Sequence, residues 1–206
     1  MRRDFFETTY DVLGNLAGGN TDVARWAMPV LFEAMDRRDA HTGEHSRSVA
    51  RLSQLVGLEM GLSIREMGTL LVGALLHDVG KIFVPNAILK KPSSLTPKER
   101  EIIALHPVAG SRALERIGVP PASLAAVKHH HERYDGSGYP HGLRGERTPL
   151  AARIVQVADA FDSMTQSRSY RWGIPPTEAL EEIERNAGTQ FDPWVVRAFV
   201  ASITDP

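Results

Sequence analysis

Five apolar helical stretches of this 206-residue chain each carry a histidine or an aspartate where a hydrophobic residue belongs. Burying such groups one by one is costly, so they constrain the fold more than any other feature. His45 stands four residues before Val49 and seven before Leu52. His77 follows Leu70 by seven, and Asp78 follows Ala74 by four. His106 comes four after Ile102 and three after Ile103. His130 and His131 come three and four after Val127, and Asp159 four after Val155. Residues three or four apart share a helix face, so each side chain points toward a core. A single such histidine is ordinarily a hydrogen-bonded core residue or a helix cap. Five imidazoles and two carboxylates together need a common compensation, and bound cations supply it.

The rest of the pattern is helix after helix. Helices are expected over 5–17, over 21–39 with a break or kink at Pro29, and over 43–60. Ser63 and Glu66 form a capping-box signature for a helix to about Asp78. Residues 80–95 read as irregular. Thr96-Pro97-Lys98-Glu99 is a second helix start. Helices follow over 97–105, 107–117 and 122–131. A glycine-rich loop occupies 133–149, and helices cover 150–164, 177–187 and 193–203. No segment alternates as a strand does. The fold class is all-α: a helical bundle with a metal cluster in its core and the glycine-rich loop at its rim.

Composition excludes several functions. A net charge of -1 provides no basic field for a nucleic-acid polymer. The absence of cysteine removes disulfides, thiolate metal sites and thiol nucleophiles. Asp4, Glu7 and Asp11 interrupt any apolar leader, and the longest apolar run, Leu70 to Leu76, is far too short to span a bilayer. The expectation is a cytoplasmic protein that does not engage a membrane.

Nitrogen and oxygen donors without thiolate disfavour a structural zinc site and suit iron, manganese, cobalt or nickel, with zinc still open. Seven donors exceed the demand of one ion that keeps an open position. Two ions are the economical reading, with Asp78 as the bridge, and paired metals are a recurrent device for attack on phosphodiesters.

These residues fall in an ordered set of motifs: His45 to Val49; His77-Asp78-Val79-Gly80-Lys81; His106-Pro107; His130-His131-Glu132 through Asp135-Gly136 to Gly138-Tyr139-Pro140; Ala158 to Asp162; and Arg168-Ser169-Tyr170-Arg171. In this set the chain resembles the HD-GYP family of metal-dependent phosphodiesterases over roughly residues 30–203. The resemblance implies hydrolysis of cyclic di-GMP to pGpG, GMP or both, through attack by a metal-activated hydroxide. It puts metal ligands at His45, His77, Asp78, His106, His130, His131 and Asp159, the seven already selected. It gives catalytic roles to Asp78 and Lys81, and substrate contacts to Lys81, Arg168, Arg171 and Tyr139. Two divalent ions are implied, iron or manganese first. His41, four before His45, is a candidate ligand for a third ion; a histidine at a helix entrance is the preferred alternative. Residues 1–29 then form an N-terminal helical extension and 30–206 the phosphodiesterase domain.

The resemblance also implies contact with a diguanylate cyclase through the Gly-Tyr-Pro loop, and it leaves a homodimer open. Ser169 stands where the family has proline, and Ser93 where it often has glycine. His129 and His141 read as surface residues. Competing readings are a catalytically weak dinucleotide sensor or docking module, a hydrolase of a related cyclic dinucleotide, and another nucleotide phosphohydrolase of the wider HD superfamily. The complete Gly-Tyr-Pro element counts against the last of these.

Overall fold

Both capping boxes expected from the sequence form. The Ser63 hydroxyl accepts from Glu66 N–H, while the Glu66 carboxylate accepts from Ser63 N–H at 2.9 Å. Thr96 and Glu99 do the same at the second start. In the computed structural model, residues 42–166 and 172–204 are described, together with Leu31, Glu33, Met35 and Arg37. The expected helix 5–17, most of 21–39, His41, Arg168 and Arg171 lie outside the described residues.

Nine α-helices follow one another among the described residues: α1 (Thr42–Glu59), α2 (Ile64–Leu76), α3 (Asn86–Leu89), α4 (Pro97–Ile103), α5 (His106–Arg116), α6 (Pro121–His129), α7 (Leu150–Thr165), α8 (Pro176–Arg185) and α9 (Pro193–Thr204). Single 3-10 turns occupy Val79–Phe83 and Gly145–Arg147. One isolated bridge, Ala187 with Phe191, is the nearest approach to a strand among the described residues. The all-α expectation holds. No helix of the described residues is long and apolar enough to cross a membrane.

Helix α2 is the axis of the bundle. Every residue from Leu70 to Leu76 is buried, which is what a helix apolar on all sides requires. It packs against α1, α6 and α7; α1 also packs on α7 and α9, and α8 covers α7. Gly73 lets α6 approach, since a Cβ there would lie 2.5 Å from that of Ala126. Met35, from the helical segment before α1, is buried in the same core.

The irregular stretch 80–95 proves partly ordered, with the turn Val79–Phe83 and the one-turn α3. Gly80 explains that turn. A Cβ on Gly80 would sit 1.9 Å from His106 O and 2.7 Å from Gly110 N. The main chain after Asp78 therefore lies directly against the first turns of α5, an approach open to glycine alone.

Candidate metal centre

The seven selected side chains converge although their helix contexts differ from expectation. His45 lies within α1 and Asp159 within α7. His77 and Asp78 leave the C-terminal end of α2, and His130 and His131 the C-terminal end of α6. His106 corrects the sequence reading. It opens α5 and does not lie on the face of Ile102 and Ile103; α4 has no buried residue, and Ile102 is exposed. The burial of His106 comes from α5 packing on the Gly80 turn.

Three histidines share one local device. The Nδ1–H of His77 donates to Ala74 O at 2.7 Å, that of His106 to Ile103 O at 2.7 Å, and that of His130 to Val127 O at 2.8 Å. With Nδ1–H turned to a carbonyl, Nε2 is the atom each ring has left for ligation. His77 Nε2 is buried without a hydrogen-bond partner among the described residues. The Nε2 atoms of His106 and His130 face each other at 3.3 Å. Two lone pairs at that distance repel, and a cation between such donors turns repulsion into ligation. These buried donors fit metal ions on the structure's own terms.

Asp78 sits between two sets of donors. Its Oδ1 lies 3.3 Å from His106 Nε2, while its Oδ2 lies 3.4 Å from His77 Nε2 and 3.9 Å from His45 Nε2. One group that could hold an ion is His45, His77 and Asp78; the other is His106, His130 and His131. Asp159 Oδ1 approaches His45 Nε2 at 3.1 Å and so adds to the first group.

The electrostatics prepare both. Burial opposes ionisation of Asp78, but the Lys81 ammonium at 2.6 Å leads the interactions that outweigh it and hold the carboxyl well below the usual range. Burial likewise opposes the charge on Asp159, whose hydrogen bond with His45 prevails and keeps it ionised. Burial pushes His131 down to about 4 and His130 well below its ordinary value, so both stay neutral. For His45 burial also lowers the pKa, but Asp159 and Asp162 raise it to about 9.

Asp162 is a site residue that the sequence reading left without a role. It is buried and lies 2.6 Å from His45 Nδ1, fixing the ring so that Nε2 faces Asp78 and Asp159. Its position three after Asp159 on the same helix was the available signal. Glu132 is the second. Its fully buried carboxylate accepts from the main-chain N–H groups of His141 at 2.8 Å and Leu143 at 3.0 Å, which ties the glycine-rich loop to the end of α6.

At the rim, Tyr139 lies over His131 with ring centroids 4.9 Å apart. Burial, then the charges of Asp78 and Asp159, push its phenol well up, so it stays protonated. Lys81 is about one-third exposed at the same edge. The loop is pinned: Tyr134 N–H and Asp135 N–H donate to Gln190 O and Thr189 O. At Gly138 a Cβ would meet Arg133 N at 2.2 Å, so the chain folds tightly back on itself. His141 is exposed as expected, whereas the His129 side chain is only 14% exposed and rests against Glu132.

The chain is similar in sequence and fold to known proteins. The HD-domain pattern covers residues 29–195. The chain belongs to the HD-domain family. A cyclic di-GMP phosphodiesterase of Thermotoga maritima is 42% identical over 175 residues, which is 84% of this chain and 48% of that protein. The cyclic di-GMP phosphodiesterase response regulator RpfG of Xanthomonas campestris pv. campestris is 39% identical, over 82% of this chain and 46% of its own length. The chain thus spans about half the length of these relatives. The crystal structure of a cyclic GMP-AMP specific phosphodiesterase from Vibrio cholerae superposes with a TM-score of 0.67 at 23% identity, over 87% of this chain and 48% of that one, and so shares the fold.

Proposed function

We propose that this chain is a metal-dependent phosphodiesterase that hydrolyses cyclic di-GMP. The observation that carries the proposal is Asp78, whose two oxygens face two separate clusters of imidazole nitrogen. His45, His77, Asp78 and Asp159 would hold one divalent ion, and His106, His130, His131 and Asp78 a second. The names of the two curated relatives support the substrate. Iron or manganese suits the donor set, and such ions, when bound, supply a hydrolytic nucleophile near neutral pH and stabilise charge on the oxygens at phosphorus.

The remaining steps belong to the protein's own groups. Lys81 brings an ammonium to the edge of the centre, where a phosphate would lie. Tyr139 offers a protonated phenol and a ring beside His131. Arg168 and Arg171 are proposed to grip a phosphate of the dinucleotide through paired hydrogen bonds. Asp162 keeps the His45 ring in place.

The test is turnover of cyclic di-GMP by protein of measured iron or manganese content, with chromatography of the products. Expected products are pGpG, GMP or both. Asp78→Ala is expected to abolish turnover while the helical circular dichroism persists. No turnover by the metal-filled parent, or undiminished turnover by the variant, overturns the proposal.

A further inference from the structure

A second set of metal donors lies outside the centre described above. His129 closes α6, Glu132 follows in the turn, and His141 stands directly after Pro140. Ligand atoms of these three residues all lie within 4.8 Å of one another. His129 Nδ1 is 3.4 Å from Glu132 Oε1, His141 Nδ1 is 3.9 Å from the same oxygen, and the two imidazole rings are 5.3 Å apart. A tetrahedral zinc ion with bonds of about 2.0–2.1 Å sets its ligand atoms about 3.4 Å apart. The observed spacings therefore need little adjustment.

The main chain already holds the carboxylate in place. The Glu132 side chain is 0% exposed, and a main-chain N–H bonds each of its oxygens. A carboxylate oxygen accepts more than one hydrogen bond, so Oε1 retains capacity for a further partner. Among the described residues, the imidazoles within 4 Å of this buried carboxylate are those of the two histidines. Solvent reaches the set, because both histidines line a cavity of about 670 Å³ beside α5 and α6, together with Arg112 and Lys128.

We infer that His129, Glu132 and His141 form a separate site for a zinc-type divalent cation, which clamps the two ends of the 130–140 loop together. The fourth position faces the cavity and takes water or an anionic ligand. The loop between the clamp residues carries His130, His131 and Tyr139, so the ion would lock the rim of the neighbouring centre. This inference does not depend on the substrate.

Cobalt titration of manganese-loaded protein tests it, read by elemental analysis after gel filtration and by the visible absorption of tetrahedral cobalt. The parent should bind one equivalent beyond its manganese and show that absorption. The His129→Ala/His141→Ala double variant and the single His141→Ala variant should each lose that equivalent and its spectrum while keeping the manganese. Zinc should protect the loop of the parent from proteolysis, and not that of the variants. A parent with no extra equivalent overturns the inference, as does an extra equivalent that survives in both variants. Variants that lose manganese along with the cobalt overturn it too, since the ion would then belong to the first centre.

Discussion

His45 carries a proton that metal binding must displace. With its pKa at about 9, held up against burial by Asp159 and Asp162, the ring is cationic near neutral pH in the metal-free protein. Ligation takes the neutral form. Metal affinity should therefore rise with pH up to about 9 and level off above it. His131, at about 4, has no proton to give in that range. Calorimetric titration near neutral pH, in buffers of differing ionisation enthalpy, should show about one proton released from His45 on filling the centre. Asp162→Asn removes one of the three carboxylates that sustain this proton, so the release should shrink and the pH dependence shift downward. An unchanged proton count in the variant would disprove the role given to Asp162.

The contact between the Gly80 turn and α5 makes its own prediction at the scale of elements. Gly80→Ala places a methyl group against the His106 carbonyl, and main chain cannot yield as a flexible side chain can. Overpacking of this kind costs about 1–3 kcal/mol, or more where the backbone must shift. Urea unfolding should show that loss, and elemental analysis a fall in metal content, because α5 carries His106. Gly110→Ala meets Gly80 N only at 2.9 Å and should do less harm. Equal midpoints and metal contents in parent and Gly80→Ala would refute the account. Periodicity revealed most helices, because Val49, Leu70 and Val155 sit at regular spacing on buried faces. It misplaced His106, because Ile102 and Ile103 are apolar yet belong to an exposed helix. Nothing local to Gly80 distinguishes a helix stop from a crossing of two backbones; that difference appears only when α5 arrives.

In the whole molecule the ions are expected to act as cross-links among α1, α2, α5, α6 and α7. Each of these helices supplies or adjoins a donor, and the unfolded chain holds no such site. A ligand bound only by the native state, at a hundred times its dissociation constant, adds about 2.7 kcal/mol. At about 2–4 °C per kcal/mol for a chain of this size, removal of the metal should lower the melting temperature by roughly 5–10 °C. Differential scanning calorimetry before and after chelation, with re-addition as control, measures this; an unmoved transition would mean that the seven donors fold without metal support. All seven clustered side chains were singled out in the sequence as polar residues on apolar faces, although the face assigned to His106 belongs to an exposed helix. What was not legible is how they divide. That His106, His130 and His131 gather on one side of Asp78, with His45, His77 and Asp159 on the other, depends on the crossing of helices far apart in the chain. The glycines marked the rim loop but not its anchor, since Glu132 follows three histidines and nothing marks its carboxylate as the acceptor for residues 141 and 143.

Three of the imidazoles draw their orientation from peptide carbonyls, those of Ala74, Ile103 and Val127. The choice of tautomer is thus made by the shape of the chain three residues upstream and not by any neighbouring side chain. Mutagenesis around these rings can alter packing, charge and access, yet the carbonyl that accepts from each Nδ1–H is beyond its reach. For those three donors the wiring is in the peptide itself.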